Sequence, residues 1–233
     1  MAADLKVMSA RAVKAAVSTL AAQFSRAHGC AVTFDFAPVG TLESRLAAGE
    51  RADVVILSRA VMASVAQSGL FAPDSVRELG STPIGLAVRA GAHVPDISTP
   101  DAFKAVLLAA DKIALSDPAI GGTAARYLPQ LFARMDIAEA IEPRLVRCRG
   151  GGGEVAERVA RGEAEVGMTF VSEMLPIAGV TIAGPLPAPY GRETGYCAAV
   201  CAQSSNAATG ADLIAALADP TGDAVWRSAG FAR

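Results

Sequence analysis

Residues 116–128 read SDPAIGGTAARYL. The apolar run Lys112 to Ser116 before it has strand character, and Ser-Asp-Pro stops it, because proline offers no N–H to a ladder and aspartate bonds its own backbone in turns. Two glycines follow, and a helical pattern runs from Thr123 to Met135. A helix start stripped of bulky side chains therefore follows directly on a buried strand. Strand, turn and helix in that order form the repeating unit of parallel α/β sheets.

The unit recurs on both sides. Upstream, Leu5 to Ser9 is a strand, and Ala12 to His28 places Val13, Val17, Leu20, Ala21 and Phe24 at helical spacing before Gly29. Val32 to Ala37 alternates as a strand, a helix opens at Gly40-Thr41 and runs to Ala48, and Gly49 closes it. Asp53 to Leu57 is a continuous apolar run of the type found in a parallel strand buried on both faces. After Pro83 the rhythm restarts with a strand at Ile84 to Arg89 and a helix at Pro100 to Ala109. Beyond the opening stretch come a strand at Leu145 to Cys148, a helix at Glu154 to Arg161 and a strand at Val166 to Thr169. A strand at Tyr196 to Cys201 and helices at Ala207 to Leu217 and Asp223 to Ala229 complete the chain. The expected fold is α/β, with two doubly wound lobes, residues 1–82 and 83–196, and residues 197–233 returning to the first. Two crossover strands, near Ile84 to Arg89 and Tyr196 to Cys201, join the lobes around a cleft.

Composition narrows the function classes. The 233 residues are 52% hydrophobic and 19% charged, which predicts a packed globular chain. No apolar run approaches the roughly 18 to 20 residues that span a bilayer, so no membrane insertion is expected. A net charge of -2 and 5% aromatic residues give neither a basic stripe nor stacking platforms, which disfavours nucleic acid as a partner. Of the four cysteines, Cys197 and Cys201 share a strand in which four residues span about 13 Å, too far for a bridge between them. No CxxC and no His near a Cys predicts a zinc site, and the expectation is buried free thiols and no metal. His28 ends an outer helix and His93 lies in a loop, so no Ser-His-Asp or Cys-His set assembles. A GxxxxGK[ST] loop is absent and Gly150 to Gly153 lacks the dinucleotide spacing, so no cofactor is expected. The start MAADLKV carries no basic region followed by an apolar stretch. It implies a periplasmic protein if Ala2 follows a cleavage point, and a cytoplasmic one if Met1 is native. No spare apolar stripe remains on the helices, and a monomer is expected.

Four strand-to-helix junctions stand out: MSARAV at Met8 to Val13, FAPVGTL at Phe36 to Leu42, SDPAIGGTAA at Ser116 to Ala125, and CRGGGGEVAE at Cys148 to Glu157. The unpaired N–H groups and positive dipole end of a helix start attract anions, and glycine lets a ligand reach the backbone. Each junction alone also fits an ordinary helix cap. Together they predict a site for a small anion, with Ser9, Arg11, Ala12, Val39, Gly40, Thr41, Gly122, Thr123, Arg149, Gly152 and Phe170 as the ligand-binding candidates.

Several blocks carry a family likeness: VMSARAV, FAPVGTLESRLAAGERADVVILSRAVM, ALSDPAIGGTAARYLPQLF, and EVAERVARGEAEVGMTFVSEM. Through them the chain resembles the substrate-binding proteins of molybdate ABC importers over nearly its whole length. The resemblance implies the type II periplasmic-binding fold, capture of a ligand by closure about a hinge near Pro83 and Tyr196, and a membrane permease as partner. It also shows departures. Where those proteins offer a serine in the first loop, a serine in the second and a tyrosine, this chain has Ala12, Val39 and Phe170. Arg11 and Arg149 have arrived instead. A planar guanidinium suits a carboxylate through paired hydrogen bonds, so a carboxylate-bearing organic anion is expected in place of molybdate. Each arginine equally fits a solvated surface position. The same resemblance reaches aconitate isomerase, which needs a general base; Glu154, Asp117 and Glu173 are the candidates. Their structural alternatives are a helix-dipole partner, a turn cap and a solvated carboxylate.

Overall fold

The structure, a computed structural model, describes residues 4–233. Residues 1–3 of the expected first lobe, including the Met1 on which the compartment reading turns, lie outside the described residues. In chain order the elements are β1 (Leu5–Ala10), a 3-10 turn (Arg11–Val13), α1 (Lys14–His28), β2 (Val32–Ala37), α2 (Val39–Ala47), β3 (Val54–Ser58) and α3 (Arg59–Ala66). Next come β4 (Arg77–Arg89), α4 (Pro100–Ala109), β5 (Ile113–Ser116), a 3-10 turn (Pro118–Ile120), α5 (Thr123–Arg134), α6 (Ala138–Ile141) and β6 (Leu145–Cys148). The remainder is α7 (Gly152–Ala160), β7 (Val166–Phe170), α8 (Val171–Met174), β8 (Val180–Pro185), β9 (Glu193–Val200), α9 (Ala207–Ala218) and α10 (Asp223–Ser228). Among the described residues no helix is long and apolar enough to cross a membrane.

The chain divides into two compact units. Unit 1 holds the residues up to Ser81 and from Thr194 onward, and unit 2 holds Thr82–Glu193. In unit 1, β1 pairs in parallel with β2 on one side and β3 on the other, and β3 pairs antiparallel with β9. All five residues of β3 are buried, as the apolar run Val54–Leu57 requires, and the polar Ser58 at its end is buried with them. One of its two neighbours nevertheless runs antiparallel, because the last strand enters from the opposite direction. The C-terminal segment packs its aromatics into the same core. Trp226 is fully buried, donates its indole N–H to the Leu217 carbonyl at 3.0 Å, and meets Phe231 edge-on at 5.0 Å.

In unit 2, β5 lies between β6 and β7, parallel to both, while β4 pairs antiparallel with β7 and with β8. Ser116 is level with Cys148 across the ladder, and Leu115 is level with Met168, so the three carboxyl ends emerge along one edge. Helix α7 lies close over this sheet. Val155 and Val159 on its inner face join Ala114, Cys148 and Ala164 in one buried cluster. The approach depends on Gly167, where an added Cβ would stand 2.7 Å from a Val159 methyl and 3.0 Å from a Val155 methyl.

Sequence reading missed α3, α6, α8 and β8, and began β4 seven residues late at Ile84. The segment RELGSTP preceding Ile84 is polar and carries Gly80 and Pro83, which read as breakers. It extends as a strand beside β9, and Ser81 in it also exchanges both backbone hydrogen bonds with Ala232, each at 2.8 Å. That partner lies 151 residues away, beyond any local pattern. Gly167→Ala should lower stability by about 1 to 3 kcal/mol through overpacking, read as a lower midpoint in chemical denaturation with an unchanged slope.

Candidate functional site

In unit 1 the register matches Ala10 with Ala37, so the turns that follow β1 and β2 start side by side. The first turn begins with the half-buried Arg11, followed by Ala12 at 5% exposure. Ser9 is fully buried and its hydroxyl donates to the Ala10 carbonyl at 3.2 Å. After β2, Pro38 is the residue before α2, which opens at the buried Val39 with Gly40 half-buried and Thr41 exposed. The exposed hydroxyl of this junction is therefore Thr41, while Ala12 and Val39 present methyl groups.

In unit 2 the carboxyl ends of β5 and β6 bring Asp117 and Arg149 together. Asp117 donates its N–H to the Cys148 carbonyl at 2.8 Å, and its Oδ1 accepts from Ala119 N–H at 2.9 Å, capping the 3-10 turn. Its other oxygen stands 3.8 Å from Nε of Arg149, whose side chain is 81% exposed. After the left-handed Gly121, Gly122 caps α5 and Thr123 occupies its first position, half-buried. Phe170 ends β7 at 4% exposure. The sequence pattern thus brings Ser9, Arg11, Ala12, Val39, Gly40 and Thr41 to one strand edge of unit 1. Gly122, Thr123, Arg149, Gly152, Phe170 and Asp117 share the corresponding edge of unit 2.

The glycine run differs from the open cradle that its composition suggests. Gly150 donates its N–H to Glu154 Oε2 at 2.6 Å. An added Cβ on Gly152 would stand 2.3 Å from Glu173 Oε2 and 2.5 Å from Thr169 Oγ1, whose hydroxyl donates to that same carboxylate oxygen at 2.9 Å. Only around Gly153 among these three is the space open, with no atom within 4 Å of an added Cβ. The chain's own carboxylates take up part of the backbone surface that a helix start offers to an anion. Sequence reading named Glu173 but missed Thr169 and the contact with Gly152, since the two are joined through the β7–α7 packing and have no shared motif. It also missed Ser172, which is 3% exposed with its hydroxyl unpartnered.

The three carboxylates differ in chemistry. Glu154 also accepts from Arg158 Nη2 at 2.9 Å, and the Gly150 N–H together with the Arg158 guanidinium holds its carboxyl below the ordinary value of 4.5. A carboxylate stabilised in this way is a weak proton acceptor. Asp117 is engaged in its turn, whereas Glu173 rests on a neutral hydroxyl at the first turn of α8. The thiols are unsuited to nucleophilic work: all four are buried and free, and burial pushes Cys148 and Cys201 up to about 11. His28 stacks on Phe24 with ring centroids 4.1 Å apart. Among the described residues no group of three or more His, Cys, Asp or Glu is arranged to hold a metal.

The profile of the family described as bacterial extracellular solute-binding protein matches residues 5–232. The chain belongs to this family. An aconitate isomerase from a Pseudomonas species is 33% identical to this solute-binding chain over 209 residues, covering 87% of it and 77% of the relative. Among solved structures, the periplasmic molybdate-binding protein of Azotobacter vinelandii superposes with a TM-score of 0.80 at 19% identity, covering 99% of each chain. The sulfate-binding protein of Mycobacterium tuberculosis superposes at 0.77 with 17% identity, covering 98% of this chain and 86% of the other. The fold is that of the type II periplasmic-binding proteins.

Two measurements test the local architecture. Gly152→Ala should destabilise the solute-binding chain by about 1 to 3 kcal/mol, whereas Gly153→Ala should be neutral or stabilising by up to about 1 kcal/mol; paired denaturation curves compare them. Because the proton affinity of Glu154 is lowered on folding, its contribution is present above the ordinary carboxylate value of 4.5 and is lost as the pH falls through the folded value. The stability gap between wild type and Glu154→Gln should therefore close on acidification, as read from melting temperatures across pH.

Proposed function

We propose that this solute-binding protein captures a small organic anion bearing carboxylates and delivers it to an ABC-type permease outside the cytoplasm. One observation carries the reading. Arg149 stands at the carboxyl ends of the unit 2 strands with its guanidinium exposed, and its contact with Asp117 at 3.8 Å is longer than a hydrogen bond. A guanidinium presented in this way accepts a carboxylate through two parallel hydrogen bonds. Arg11 opens the corresponding junction of unit 1, while Ala12, Val39 and Phe170 supply no hydroxyl for a tetrahedral oxyanion. Open α/β sheets bind ligands at the carboxyl ends of their strands, which supports reading both junctions as ligand contacts.

A second reading is supported by the 33% identity to an aconitate isomerase. On this reading the bound anion is a tricarboxylate, and the site moves a proton from one carbon to another. Both readings share the ligand class and differ only in turnover.

Thermal-shift measurements against molybdate, sulfate, phosphate and a panel of di- and tricarboxylates test the assignment, since a ligand that binds the native state raises the melting temperature. Stabilisation by carboxylates with no response to the oxyanions is the expected result. Arg11→Ala and Arg149→Ala should each weaken carboxylate binding by roughly 1.5 to 3 kcal/mol in titration calorimetry. Unchanged affinity in both variants, or stabilisation by molybdate alone, would sink it.

A further inference from the structure

We infer that unit 2 carries a second binding site, at the edge of its sheet opposite the candidate site, for a monocarboxylate with an apolar body. A cavity of about 560 Å³ opens there, within the size range of small-molecule sites. It lies where β4 ends and β7 begins, since Val88 is level with Val166 across their antiparallel ladder. The last turn of α4 forms a further wall. The floor is apolar: Val88, Ala110, Ala164 and Val166 are each at most 5% exposed, and Val106 is half-buried beside them. Aliphatic or aromatic groups entering this space exchange water for apolar contact. Ionisable side chains stand only at the rim, where Arg89, His93 and Glu165 are all exposed.

The rim decides the head group. Among the described residues the Arg89 guanidinium makes no hydrogen bond or ion pair. It lies along the backbone of Gly162, where an added Cβ would stand 3.4 Å from its Nη1. Gly162 lines the same cavity, so this contact places the guanidinium at the mouth. A planar guanidinium above an apolar floor receives a carboxylate through paired hydrogen bonds while the body of the ligand points inward. The carbonyl end of α4 would repel such an anion, but Arg144 already caps it, donating to the Leu108 and Ala110 carbonyls at 2.7 and 2.9 Å. Glu165 limits the charge of the ligand. Its Oε2 accepts the Asp111 N–H at 2.6 Å, which ties the carboxylate to the turn between α4 and β5. A second carboxylate on the ligand would meet Glu165 on the same rim, so the mouth accepts one anionic group. That sets this cavity apart from the opposite edge of the sheet, where Arg149 suits a polycarboxylate.

Titration calorimetry of the whole chain with hexanoate and benzoate tests the site. Acetate, hexanol and hexylamine serve as probes that lack the apolar body, lack the charge or reverse it. Arg89→Gln removes the guanidinium, and Ala109→Trp, at an exposed position of α4, fills the mouth. Melting temperatures without any probe report whether each variant is folded. Wild type should bind hexanoate and benzoate at least about tenfold more tightly than the three other probes. Arg89→Gln should weaken both carboxylates by at least about tenfold, the loss expected for a charged hydrogen bond, and Ala109→Trp should weaken them as much by occupying the space. Wild type that binds neither carboxylate overturns the assignment, and so does hexylamine binding as tightly as hexanoate. Unchanged affinity in folded Arg89→Gln overturns it as well, and if that variant does not fold, unchanged affinity in Ala109→Trp has the same meaning. Carboxylate affinity that falls in Arg149→Ala but not in Arg89→Gln puts the probes at the opposite edge and overturns the second site, leaving the proposed function untouched.

Discussion

The close approach of α7 to β7 governs how unit 2 presents its chemistry. Gly167 lets Val155 and Val159 descend onto the sheet, and Gly152 lets the first turn of the same helix meet Thr169 and Glu173. With side chains at those two positions the helix start would be displaced, and Arg149, three residues upstream of it, would move as well. Two glycines one strand apart thus set the position of a charged group that neither touches. Interiors packed at crystal-like density transmit such constraints over several residues, because they leave no slack to absorb them.

The chemistry of each strand edge follows from the residue types it carries. A neutral cradle of hydroxyls and N–H groups holds a compact oxyanion by number of donors, whereas a guanidinium holds an extended planar group by geometry and charge. Ala12, Val39 and Phe170 are buried and carry no side-chain hydrogen-bonding group. The carboxylates Glu154 and Glu173 press the same way. Their presence beside α7 reduces the pull of that helix start on a second anion.

Much of this was legible in the sequence. The alternation of apolar strands with helical periods located β1, β2, β5, β6, α1, α4 and α5 to within a residue or three, since each element lies between local punctuators such as Gly29, Pro100 and Ser116-Asp117-Pro118. The elements that escaped have nonlocal causes. The first half of β4 is held extended by distant partners, β9 beside it in the sheet and Ala232 bonded to Ser81, and β8 is a strand because β4 offers it an antiparallel edge. The short helices α6 and α8, of four residues each, carry too little periodicity to announce themselves. At the site, residue types at the junctions were visible from spacing alone. The occupancy of the glycine run was not, because Glu173 reaches it across two strand ends, from a helix 21 residues further along the chain.

The four thiols have a consequence for the environments this fold tolerates. Two of them ionise only near pH 11, so at neutral pH about one in ten thousand of each is the reactive thiolate. All four are shielded from solvent, and none contributes a crosslink to the architecture. Once the chain is folded, a reducing milieu finds no disulfide to break, and the buried Cys148 and Cys201 offer an oxidising one little thiolate to capture.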